Sequence, residues 1–188
     1  MIADTDDTPE PENLEPTSRM LSWARNSAIY RLERRMMTER QLRDAITRKA
    51  KEKFEDISVQ QTKALGDFAV KFAYEIKALD DTAFAEITVR SGLRSGKSKR
   101  GLAQKLTIKG VDRQTAEAAL DETNDLVAAV VFARKRAFGP YRRIELDEKR
   151  KNKELSAFAR NGFSFEIGAR VFAMTPEEAE DILYDAPL

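Results

Sequence analysis

Three groups of residues in this chain have the types and spacing for chemistry. The first, Gly92-x-x-x-Gly96-Lys97-Ser98, has the look of a loop for a nucleotide phosphate. Such a loop needs four residues between its glycines and a buried strand before them, so that backbone N–H groups wrap the phosphates at a helix start. Here three residues separate the glycines and Phe84 to Ser91 reads as helix, so the segment is a basic turn. The second group, Asp80-Asp81, is a carboxylate pair of the kind that can hold a metal or share a proton. Its place just before an apolar helical stripe makes it a cap, since both carboxylates can accept from the free N–H groups of a first turn and favour the positive end of the helix dipole. The third group is cationic. Arg31, Arg34 and Arg35 lie in the first third of the chain. Arg90, Arg94, Lys97, Lys99, Arg100, Lys105 and Lys109 lie in the second, and Arg134, Lys135, Arg136, Arg142 and Arg143 in the last. These are the candidate contacts to an acidic or polyanionic partner.

Neither histidine nor cysteine occurs. Their absence excludes imidazole acid–base catalysis, thiolate nucleophiles, disulfides and the usual zinc sites. No carboxylate cluster has the spacing of a calcium loop. The chain is therefore expected to be no enzyme and to need no cofactor.

The net charge of +1 hides an asymmetry. Residues 1–18 hold six acids and residues 175–188 five, with no base in either stretch; the remaining 21 acids face all 33 bases, which gives residues 19–174 a net +12. The acidic start also carries three of the six prolines and few apolar side chains, a composition that cannot offset its ordering entropy, so an unstructured arm is expected over 1–18. The longest apolar run, Leu126 to Ala133, is eight residues, far below the roughly 20 that span a bilayer. With no basic and apolar leader at the start, a cytoplasmic location is expected.

The elements that must position the cations are helices. No proline interrupts the chain from Pro16 to Pro140, and no segment alternates with period two. A first helix is expected from about Ser22 to Arg35, with Ala24, Ala28, Leu32 and Met36 inward. Thr38-x-x-Gln41 reads as a capping box for a second, with Leu42, Ala45 and Ile46 inward. Lys51 to Gln61 lacks periodicity and reads as a loop or a fraying extension of the second helix. Leu65, Phe68, Ala69, Phe72, Ile76 and Leu79 form the clearest stripe, on a third helix. A fourth places Phe84, Ile87, Thr88 and Ser91 on one face. It should break in the glycine-rich, cationic and flexible elbow from Gly92 to Gly101, with Ser98 capping the next helix and Gly110 ending it. Beyond a short helix capped by Asp112, a helix from near Asp125 runs to Gly139-Pro140, and a basic connection follows from Tyr141 to Lys153. Leu155, Phe158 and Ala159 mark the next helix, stopped by Gly162. Ser164 caps one with Phe165, Val171 and Phe172 inward, and Thr175-Pro176-Glu177-Glu178 starts a terminal helix.

The same pattern returns along the chain. Leu42, Ile46, Lys49 and Ala50 precede Leu102, Leu106, Lys109 and Gly110 by 60 residues, and Phe158, Asn161 and Gly162 follow the last three by 52. The expected fold is all-α, an elongated tandem array of three three-helix repeats at 19–79, 80–122 and 123–188, the last with an acidic C-terminal helix. With no sustained heptad seam, a monomer is expected.

The central stretch Leu79-Asp80-Asp81-x-x-Phe84-Ala85-x-x-x-Val89-Arg90, followed by Gly96-Lys97 and Leu102-x-x-x-Leu106-x-x-Lys109-Gly110-Val111, resembles the central repeat of the RecX family of recombination regulators. Tyr30-x-Leu32-x-x-Arg35-x-x-Thr38-x-x-x-Leu42 is similar to that family's first-repeat opening. The resemblance spans roughly residues 22–174. It implies binding in the groove of the RecA–DNA filament and inhibition of RecA strand exchange, ATP hydrolysis and co-protease function, in the service of recombination, DNA repair and the SOS response. Against the family's compact first repeat, Lys51 to Gln61 reads as an added stretch, and the acidic arm has no counterpart. Two other readings stay open on the residues alone. One is a helical protein that binds nucleic acid directly, favoured by the net charge of the body and disfavoured by few exposed aromatics for base stacking. The other is a scaffold whose apolar grooves hold another protein.

Overall fold

The computed structural model describes residues 15–186, so the acidic segment 1–14 lies outside the described residues. Among them the chain forms ten α-helices, one 3-10 turn and no strand, the all-α fold that the periodicity predicts. One compact unit ends at Asp80 and a second begins at Asp81.

The first unit holds α1 (Ser18–Leu32), α2 (Glu39–Lys53) and α3 (Val59–Glu75). Thr17 caps α1 by accepting from the Met20 N–H, and the Glu15 carbonyl accepts from Gln61 Nε2 at 3.1 Å, so residues 15–18 belong to the fold and not to an unstructured arm. Ala24 and Ala28 let α1 approach closely, over a core of Leu42, Ile46, Leu65, Ala69 and Ala73. Thr38 and Gln41 form the expected capping box. Of the stretch Lys51 to Gln61, read as loop or helix extension, residues 51–53 extend α2, 54–58 connect, and 59–61 already belong to α3. The α2 helix runs on to Lys53, and a second capping box, Ser58 with Gln61, opens α3. Helix ends also leave two expected core residues outside. Because α1 stops at Leu32, Met36 is exposed and Met37 is buried in its place. Ile76 is exposed at the end of α3, where Lys77 turns left-handed at φ 55° and returns Leu79 to the core.

The second unit holds α4 (Asp81–Arg94), α5 (Lys99–Lys109), α6 (Arg113–Leu120), α7 (Asp125–Arg136), a 3-10 turn (Gly139–Tyr141), α8 (Glu148–Arg160), α9 (Phe165–Ala173) and α10 (Pro176–Tyr184). Ala85, Val89, Leu102, Leu106, Ala116 and Leu120 close one core. A second gathers around α7, where Val127 to Ala133 are all buried, with Phe138, Phe158, Phe163 and Val171. Gly110 and Gly162 end α5 and α8 in the left-handed conformation, at φ 85° and 87°, as the stop signals predict. Val111 and Phe163, the residues after these glycines, then donate to Leu106 O and Phe158 O, which closes the two helices alike. In the first repeat Ala50, at the position of these glycines, stays inside α2, and a left-handed residue follows only at Asp56, φ 55°. The added stretch is thus in part a longer α2. Two inward faces differ from expectation. On α9 the buried residues are Gly168 and Val171, while Phe165, at its first turn, is 77% exposed. On α8 they are Glu154 and Phe158, while Ala159 is exposed.

Candidate partner-binding surface

The cations of the second unit are set by the turn between α4 and α5. The buried face of α4 is Ala85, Thr88, Val89 and Gly92, not Ile87 and Ser91. Gly92 does not break the helix. It lies inside it, at the point where a Cβ would come within 2.2 Å of Leu102 Cδ2, so the missing side chain is what lets α5 lie against α4. The chain reverses at Gly96, φ 73°, whose backbone sits on that of Phe132; a Cβ there would meet Phe132 N at 2.7 Å.

Five further hydrogen bonds fix the turn. Lys97 N–H donates to Gly92 O at 3.0 Å, closing the end of α4. Ser98 Oγ accepts from Gly101 N–H at 3.1 Å and donates to Asn161 O, the last residue of the α8 cap, at 2.6 Å. The Lys99 N–H donates to Asp125 Oδ1 at 2.6 Å. Lys135 Nζ donates to Arg94 O at 3.3 Å. The expected flexible elbow is therefore a pinned one, because α7 and the end of α8 supply partners distant in sequence. The side chains of Arg94, Lys97, Lys99 and Arg100 remain exposed on it.

These contacts bring several predicted residues together. The Lys135 bond sets the last turn of α7, with Arg134, Lys135 and Arg136, beside the end of α4. Burial, then the charges of Lys97 and Lys109, hold the Lys105 ammonium below the usual lysine range, which places the three lysines within electrostatic reach of one another. Arg90 sits apart, in a groove between α4 and α6. In the first unit, Arg34 lies over the Tyr30 ring at 4.1 Å and Arg35 is exposed. Arg31 is half-buried and donates to Ser27 O and Oγ; burial, then the neighbouring Arg48, pulls its guanidinium below the arginine range.

Arg142 is a correction to the candidate set. Its guanidinium donates twice to Glu154, at 3.0 and 2.7 Å, and lies 4.8 Å from the Phe172 ring. It is an internal partner and no surface cation. Arg143, next to it, is exposed. Glu154 is fully buried, and it accepts also from Arg150 Nε at 3.2 Å and from the Gly139 N–H at 3.0 Å. Burial alone would raise its pKa, but the Arg142 hydrogen bonds, the Gly139 N–H and Arg150 outweigh it and hold the carboxyl below its ordinary range. A signal for Glu154 stood in the sequence, since the 52-residue offset that matches Phe158 to Leu106 also matches Glu154 to Leu102.

Three-helix cores that present exposed lysine and arginine from a pinned turn define a helical-repeat protein with a cationic surface. A family model described as RecX, second three-helix domain, matches residues 80–120. The chain is 82% identical over 179 residues to the regulatory protein RecX of Agrobacterium fabrum, covering 95% of this chain and 97% of that protein. It is 31% identical over 173 residues to the regulatory protein RecX of Myxococcus xanthus, covering 88% and 90%. The chain belongs to the RecX family. Its fold is that of the crystal structure of RecX from Lactobacillus salivarius, with a TM-score of 0.65 at 20% identity over 87% of this chain and 99% of that one.

Proposed function

We propose that this chain, a RecX-type regulator, binds the RecA–DNA filament as a monomer in the cytoplasm and restrains RecA's recombinase, ATPase and co-protease activities, with no chemistry of its own. The single observation that carries this beyond the family is the pinned turn from Arg94 to Arg100, which holds four exposed cations on a fixed backbone beside the basic end of α7. A fixed row of charge loses less entropy on meeting a regular polyanionic or acidic surface than one on a mobile loop. DNA then contributes mainly through the filament. Direct nucleic-acid binding is the second reading, favoured by the Lys97, Lys105 and Lys109 cluster.

The test is fluorescence anisotropy of the labelled chain against RecA–single-stranded DNA filaments and against the same DNA alone, over a salt series. Filament binding at least tenfold tighter than DNA binding at 150 mM salt is expected. Equal affinities, with a steep salt slope for both, favour direct nucleic-acid binding.

A further inference from the structure

The groove between α4 and α6 has a charge opposite to that of the body around it. Thr82, Glu86, Val89, Arg90 and Leu93 share one stripe of α4 and face Gln114, Thr115, Ala118 and Ala119 of α6, with the connection Asp121 to Thr123 closing one end, around about 600 Å³. Val89, Leu93, Ala118 and Ala119 make its floor apolar. Its rim holds three carboxylates, Glu86, Asp121 and Glu122, and one base, Arg90. Elsewhere some acids on helix faces hold a cation: Glu39 and Asp67 hold Arg43, Glu117 holds Arg113, and Glu154 holds Arg142 and Arg150. Among the described residues no base pairs with Glu86, Asp121 or Glu122. Within a body of net +12 this groove thus keeps an acidic rim that no base pairs with.

We propose that this groove is the protein-contact site of the chain, and that it takes a segment of RecA in the filament carrying an apolar side chain flanked by lysine or arginine. The proposal rests on the RecA-binding reading and adds the chemistry of one contact to it. The apolar residue covers Val89 and Leu93, and the flanking cations reach Glu86 on one wall and Asp121 or Glu122 on the other. A short helix can lay such a face between the two helical walls of the groove. The exposed cations of the α4–α5 turn and of α7 remain available to phosphates, so the protein and the DNA of one filament meet different surfaces. Cations brought to an acidic rim also speed encounter and lose effect with salt.

The sign of a charge reversal separates this from general electrostatics. Two variants are compared with the wild-type chain for binding to RecA–single-stranded DNA filaments and to the DNA alone: Glu86→Lys with Glu122→Lys, and Ala118→Trp, which fills the groove without changing charge. All three positions are exposed, and thermal unfolding checks that the variants fold. Added lysines would tighten binding to any polyanion. The groove contact instead requires both variants to bind filaments at least tenfold more weakly while DNA binding is unchanged or tighter. Filament affinities within twofold of wild type for both variants overturn the groove and leave the RecA reading standing. A wild-type chain that ignores filaments altogether overturns both.

Discussion

Glu154 stands where the other two repeats bury leucine. Counted back from the left-handed glycine it matches Leu102, and all three residues, Leu42 included, are fully buried. An isolated carboxylate could not stay charged there, but two guanidinium groups and a backbone N–H satisfy it. The network ties α8 to the 3-10 turn and the start of the connection after it. Removing one partner of a buried pair leaves the other uncompensated, so Glu154→Ala should cost about 3 kcal/mol of stability, near the lower end for such pairs because both arginines retain some exposure. A carboxyl held below its ordinary range takes up its proton later in the folded chain than in the unfolded one. Its contribution is therefore present above the ordinary glutamate pKa and disappears as pH falls through the folded value. Urea unfolding from pH 7 to pH 3 should show the gap between wild type and Glu154→Ala closing toward the acid end. Tyr141 works in the opposite direction. Burial, with the hydroxyl donating to Glu180 Oε1 at 2.9 Å, pushes its phenol up to about 12. The stability it supplies is full below the ordinary tyrosine pKa and lost as pH rises through the folded value. An absorbance titration should contain a phenolate step near pH 12 that is absent in Tyr141→Phe.

At the scale of elements, the start and stop signals were the most legible part of the sequence. Thr38, Ser98, Asp112, Ser164 and Thr175 all cap helices, because a cap needs only partners three residues away. Gly110 and Gly162 end them for the same local reason. Gly92 misled, since a glycine that breaks a helix and one that admits a neighbour look alike until the neighbour is known. The distinction is measurable. Alanine is the better helix former by about 1 kcal/mol, so an unpacked Gly92→Ala would stabilise α4. Its Cβ instead presses on Leu102, which is fully buried and has no room to yield. Overpacking of this kind costs about 1–3 kcal/mol, and a net fall in melting temperature of a few degrees is expected. Ser98→Ala removes the α5 cap and leaves Asn161 O without its hydroxyl donor. Thermal unfolding should register a loss of about 1–2 kcal/mol.

For the whole molecule, composition and charge carried far. They placed an all-α repeat protein with a basic body, and the central motif fell where the RecX second three-helix domain matches. What they could not carry was adjacency. Arg142 counts as a cation in any tally of charge, and only the packing of α8 on the 3-10 turn turns it inward. The acidic groove needs α4 and α6 side by side, and the pinned turn needs Asp125, Lys135 and Asn161 brought to it from 26 to 63 residues away. Restraint of the RecA filament by this chain is tested most directly by titrating it into RecA's DNA-dependent ATP hydrolysis, beside a DNA-only binding control. A regulator that acts on the filament should inhibit hydrolysis at well below one copy per RecA subunit, at concentrations where DNA alone binds weakly. Hydrolysis unchanged with the chain in excess over RecA would contradict it.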